Sequence, residues 1–125
     1  MKFSSTVILA VALLLGGTGC AGTGPVATQD TTPPVISDIR LTDISQVHMD
    51  IAWTTNEPAT GQVEYGTTPE YGSITPLKTD LVTTHGFTLD GLTGGTLHHY
   101  RVRSKDAAGN EAISEDKVQA TYHHL

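Results

Sequence analysis

Leu92-Thr93-Gly94-Gly95-Thr96-Leu97-His98-His99-Tyr100-Arg101-Val102-Arg103 changes character after its two glycines. From His98 onward its period is two: His98, Tyr100 and Val102 fall on one side, His99, Arg101 and Arg103 on the other. That pattern belongs to a strand with one face in a core and one in water. The same period recurs along the chain from residue 35. Met49, Ile51 and Trp53 alternate with His48, Asp50 and Ala52; Val63 and Tyr65 alternate with Gln62 and Glu64, ending at Gly66. Phe87 and Leu89 alternate with Thr88 and Asp90, and Val118, Ala120 and Tyr122 with Lys117, Gln119 and Thr121. Turn residues separate these runs: Asn56-Glu57-Pro58, Gly66-Thr67-Thr68-Pro69, Gly91 with Gly94-Gly95, and Ala107-Ala108-Gly109-Asn110. Short alternating strands about ten residues apart predict an all-β, antiparallel sandwich of about seven strands. It is placed at residues 35–123.

Three stretches resemble a fibronectin type III domain, and together they cover about Thr32 to Tyr122. Ile51-Ala52-Trp53-Thr54-Thr55 is similar to the second strand of that family, whose tryptophan anchors the core. Leu92 to Val102 is similar to the segment leading into its sixth strand, and Ser104-Lys105-Asp106-Ala107-Ala108-Gly109-Asn110-Glu111 to its last hairpin loop. The resemblance implies an immunoglobulin-like sandwich with Trp53, Tyr65, Leu92, His98, Tyr100 and Val102 as the residues that define its core. Two positions depart from the family pattern: Gly94 stands for a proline and His98 for the tyrosine that pins a corner of such sandwiches. An imidazole reaches less far than a phenol, and glycine leaves the unfolded chain freer by about 0.4–1 kcal/mol. A looser corner is therefore expected, with His98→Tyr raising the unfolding midpoint. Trp53 to Pro58 with Val63 to Gly66 also resembles the β-sandwich that precedes the catalytic domain of purple acid phosphatases. That family's metal ligands lie in the following domain, so the resemblance implies an accessory module and carries no activity with it.

The N-terminal residues have a different character. Met1-Lys2 is basic, Val7 to Leu15 is unbroken apolar sequence, Gly16-Gly17-Thr18-Gly19 is small, and Cys20 is the only cysteine. This order predicts a secretory signal peptide over residues 1–19. The apolar run is too short to span a hydrocarbon core, which needs about 20 residues. A cysteine at that point resembles the lipobox of bacterial lipoproteins and implies that Cys20 is acylated and becomes the first mature residue. Residues 20–34 are small, polar and proline-rich after the cysteine, which predicts a disordered tether. A tether of that length has a mean reach of about 20 Å. The expected location is the bacterial cell envelope, at a membrane surface.

Cys20 to Leu125 is 106 residues, one domain's worth, and without a second cysteine its stability must come from the core alone. The full chain carries a net charge of −6, and its cations Arg101, Arg103 and Lys105 form one alternating row. Such a chain is a poor partner for nucleic acid, which attracts a basic surface. The histidines are His48, His85, His98, His99, His123 and His124. His98 and His99 point to opposite faces of a strand and cannot share a metal, so no metal site, cofactor or catalytic residue is expected. Asp106-x-x-Gly109-Asn110 reads as a β-turn with Gly109 or Asn110 at positive φ. The expected role is non-enzymatic: a monomeric module for interaction, adhesion or scaffolding with a protein or glycan. Contacts are sought first in loops at Asn56–Thr60, Gly66–Ile74 and Lys105–Ile113. An accessory module of an exported phosphatase or glycosidase, and a plain spacer, are the alternatives.

Overall fold

The computed structural model describes residues 29–123. The signal segment, Cys20 and the tether before residue 29 lie outside them. Seven strands follow in chain order: β1 (Ile36–Ile44), β2 (Met49–Gly66), β3 (Ser73–Ile74), β4 (Lys78–Leu89), β5 (Leu97–Lys105), β6 (Glu111–Ile113) and β7 (Lys117–Ala120). Every pairing is antiparallel, and no helix is present among the described residues.

The long β2 organises the molecule. Its first half lies between β1 and β4, with Ile51 opposite Leu41 and Phe87. Its second half pairs with β3 and with β5, with Val63 opposite Val102. β6 and β7 then share the far edge of β5. Two sheets thus meet through one strand, and their inner faces make the core. The core is Met49, Ile51, Trp53, Val63, Phe87, Leu89, Leu92, Tyr100 and Val102, with Tyr65 and β1's Ile36, Ile39, Leu41 and Ile44 packed against it.

The turn expected at Asn56-Glu57-Pro58 is not there. β2 runs straight through it, and the buried positions continue at every second residue from Met49 to Val63. What changes is the pairing: its register with β4 shifts between Thr54 and Ala59 and again before Gly61. Proline has no N–H to give a ladder, so it is tolerated where pairing lapses and the strand passes from one sheet to the other. The tripeptide marks a crossing between sheets, and a crossing needs the same residues as a turn.

Trp53 sits where the sheets meet. Its ring stacks on His85 and Phe87 with centroids 5.0 and 5.4 Å away, and its Nε1–H donates to Ser104 Oγ of the other sheet at 2.9 Å. Ser104 is fully buried, so this bond satisfies both the indole and a hydroxyl with no access to water. Leu92, Tyr100, Val102 and His98 are also buried, whereas Tyr65 is only half-buried at the end of β2.

The corner is closed. His98 is 2% exposed, and its Nε2 lies 3.1 Å from the Thr93 carbonyl, which also accepts the Thr121 hydroxyl at 2.6 Å. The shorter imidazole therefore makes the corner bond because the backbone approaches it more closely, and a second donor from the chain end reinforces it. The chain before β1 is also tied in. Asn110 Nδ2 donates to the Asp30 carbonyl at 2.9 Å, Pro34 is buried, and Val35 exchanges two bonds with Asn56.

Candidate functional site

Side chains that point outward from β2 and β5 form the most organised surface. Glu64 and Arg101 are cross-strand partners, and Arg103 is two residues on, so all three share one face. Arg101 Nε and Arg103 Nη1 both donate to the Glu64 carboxylate, and Arg103 turns its remaining donors to Glu111 of β6 at 3.0 and 3.1 Å. The Arg101 bond, against the opposing effect of burial, holds the Glu64 carboxyl below the usual range; Arg103 does the same for Glu111. The cationic row is thus neutralised by two carboxylates along most of its length.

Tyr71 extends this face. Its ring lies 4.9 Å from the Arg101 guanidinium and its hydroxyl donates to Asp116 at 2.8 Å. His99 Nδ1 reaches the other Asp116 oxygen at 2.8 Å, and that bond is the chief cause of a lowered Asp116 pKa. Tyr71 has φ of 67°, a conformation that bulky L-residues avoid. It falls within the expected loop Gly66–Ile74, although β2 extends to Gly66 and Ser73–Ile74 pairs back on β2 as β3.

The β1–β2 hairpin end holds a second cluster. Asp43 and Asp50 are directly opposite in the ladder, and His48 is two residues from Asp50. His48 Nδ1 lies 2.8 Å from Ser45 Oγ and its Nε2 lies 2.9 Å from Asp43 Oδ2. This Ser–His–Asp chain is not a nucleophile's arrangement. Ser45 Oγ already accepts the backbone N–H groups of Val47 and His48, each at 3.0 Å, so its lone pairs are spent on closing the turn. Asp50 Oδ1 accepts the Thr88 hydroxyl at 2.7 Å.

A third group gathers at the opposite end. Asp106 Oδ1 accepts the N–H groups of Ala108 and Asn110 at 2.9 Å, and Oδ2 accepts Asn110 Nδ2 at 3.1 Å. Burial pushes the Asp106 carboxyl up, but these bonds and a contact with Glu57 outweigh it and leave it below its usual range. Gly109 has φ of 97°, so the loop is a β-turn fastened by its first residue. Asp30, Glu57 and Asp106 place carboxylate oxygens within 4.8 Å of one another. The expected sites Asn56–Thr60 and Lys105–Ile113 adjoin here, since Ala59 bridges to Asp106 and Thr60 Oγ1 accepts the Lys105 N–H.

His48 is grouped with two aspartates and not with another histidine, so a comparison among histidines alone does not reveal the cluster. The signal was available as Asp43-x-x-x-x-His48-x-Asp50, once a hairpin is placed between Asp43 and Asp50. Tyr71 was not singled out, because nothing in Pro69-Glu70-Tyr71-Gly72 announces which residue takes the positive φ.

No family model and no curated protein matches the sequence. Solved structures match the fold. The third fibronectin III domain of the human KIAA0343 protein superposes with a TM-score of 0.55 at 17% identity, covering 86% of this chain and 96% of that one. A short form of the sensor domain of an anti-sigma factor from Pseudobacteroides cellulosolvens gives 0.55 at 14% identity, covering 74% of this chain and 98% of that one. The chain has a fibronectin type III-like sandwich fold.

Proposed function

We propose that this chain is a non-enzymatic module of the bacterial cell envelope, held at a membrane by an acylated Cys20, that binds a protein or glycan through the outer face of β2 and β5. The observation that carries the binding reading is Tyr71. A non-glycine residue in the left-handed region costs about 1–2 kcal/mol, which its surroundings must offset. Here the conformation places the aromatic ring between Arg101 and Asp116 on an otherwise ion-paired face. Aromatic and arginine side chains held in fixed geometry are what interfaces use as anchors. The closed state of the Ser45 hydroxyl supports a role without catalysis.

The full chain and its Tyr71→Ala variant, used as baits for envelope extract and for a panel of cell-wall glycans, test the reading. Wild type is expected to retain a saturable partner that Tyr71→Ala loses by at least tenfold while remaining folded, its thermal midpoint lowered by the loss of the Arg101 and Asp116 contacts. Equal retention by both removes this face from consideration. Cys20→Ser is expected to move the chain from the membrane to the soluble exported fraction; a wild type that is already soluble refutes the anchor.

A further inference from the structure

We propose that Asp43, His48 and Asp50 hold a borderline divalent cation of the Zn²⁺ type on the outer face of the β1–β2 hairpin. Three features of the hairpin carry this. First, the ladder sets Asp43 opposite Asp50, and the two-residue period brings His48 to the same face as Asp50. Like charges directly across a ladder repel. The His48 imidazole meets Asp43 and the Thr88 hydroxyl meets Asp50, and a cation that coordinates both carboxylates converts the remaining repulsion into two bonds.

Second, the donor atoms converge. His48 Nε2 and a carboxylate oxygen of each aspartate all lie within 4.8 Å of one another, with Nε2 at 2.9 Å from Asp43 Oδ2. Tetrahedral zinc with bonds near 2.1 Å requires about 3.4 Å between ligand atoms. Small rotations of half-exposed side chains cover that difference without moving the strands. Nitrogen and oxygen donors in this mixture favour zinc, nickel or copper over calcium or magnesium, which prefer oxygen alone.

Third, two of the ligands are oriented from outside the cluster. Ser45 Oγ lies against His48 Nδ1 at 2.8 Å, and the Thr88 hydroxyl donates to Asp50 Oδ1 at 2.7 Å, leaving Oδ2 for a metal. Outer groups of this kind fix ring plane and carboxylate angle in metal centres. With the metal on Nε2 the proton moves to Nδ1, and Ser45 Oγ must release the Val47 or the His48 N–H to accept it. Three protein ligands leave one position for water or for a donor atom from another molecule.

The test is calorimetric titration of the full chain with ZnCl₂ in a non-chelating buffer, using His123→Ala/His124→Ala as the reference protein so that the C-terminal histidines do not contribute. The expected result is one zinc per chain in the reference and at least tenfold weaker binding in His48→Asn and Asp50→Asn. Each variant's thermal midpoint without metal shows that the fold is kept. Should a variant unfold, the His48 Nε2 resonance of the reference decides: it must shift on adding zinc. The proposal is overturned if the reference takes up no zinc, if His48→Asn binds as tightly as the reference, if the Nε2 resonance does not move, or if calcium is bound there in preference to zinc.

Discussion

Trp53 and His98 are buried side chains whose ring nitrogens tie the molecule together, one through Ser104 of the other sheet and one through the Thr93 carbonyl at the corner. A period of two picks out Trp53, Tyr100 and Val102 because burial alternates in a strand, and no alternative register keeps Arg101 and Arg103 in water. Nothing in that pattern says that Trp53 Nε1 is satisfied by Ser104, a small polar residue that the alternation simply counts as inward. His98 shows the same limit more sharply. Compared with a tyrosine, the imidazole is too short for the corner, which led to the expectation that His98→Tyr is stabilising. With the Thr93 carbonyl already 3.1 Å from Nε2 and His98 2% exposed, a phenol has no room to extend. His98→Tyr is therefore expected to destabilise by about 1–3 kcal/mol, the usual cost of overpacking. Urea unfolding of the two proteins decides between the readings, since a raised midpoint restores the looser corner.

Elements were legible where side chains alternate over several residues, and obscure where the backbone changes partner. β2, β5 and β7 announce themselves, whereas β3 and β6 are two and three residues long and exist only because a neighbour offers a ladder. β2 was divided at Asn56-Glu57-Pro58 because turn chemistry and sheet-crossing chemistry use the same residues. Gly66 carries another hidden constraint. It was read as a turn glycine, yet its φ is not in the left-handed region; the requirement is space. A Cβ there would lie 1.6 Å from the Tyr71 carbonyl oxygen, which is backbone and cannot rotate away. Gly66→Ala must therefore displace the whole segment to Tyr71 and release the phenol from Asp116 and Arg101. The expected cost is at least about 2 kcal/mol. Amide exchange on the variant should show lost protection at Tyr71 and β3; an unchanged midpoint would mean that the loop relaxes freely.

For the molecule as a whole, the two ends of the sandwich carry different chemistry. The chain comes in at the end bearing Asp30, Glu57 and Asp106, while the hairpin of Ser45 and His48 and the segment near Tyr122 lie at the other. A nine-residue strand such as β1 spans about 30 Å, which separates the Asp43–His48–Asp50 end from the end where the described chain enters. Stability against acid is likewise a property of the whole. Glu64, Glu111, Asp116 and Asp106 all have carboxyls held below their ordinary values. What they contribute is present above the unfolded carboxylate range and is lost as pH falls through the lower folded values, below about pH 4. The exposed pairs among them count for little each.

His85 acts earlier on acidification. Burial against Trp53, then the nearby Lys78 charge, pushes its pKa below 6.5, so the folded protein resists a proton that the unfolded chain accepts. The sign follows directly: its contribution is complete above pH 6.5 and falls away as the pH drops from there toward the lower folded value. The thermal midpoint of wild type should therefore decline on going from about pH 7 to pH 5, before any carboxylate is protonated. His85→Gln keeps a polar group beside the Thr55 hydroxyl, which lies 3.1 Å from Nε2, but has nothing to titrate. Its midpoint should start lower, because the stacking on Trp53 is lost, and then remain level across the same interval. If the variant declines as steeply as wild type, the proton is taken up at another histidine and the buried His85 is not the origin of the slope.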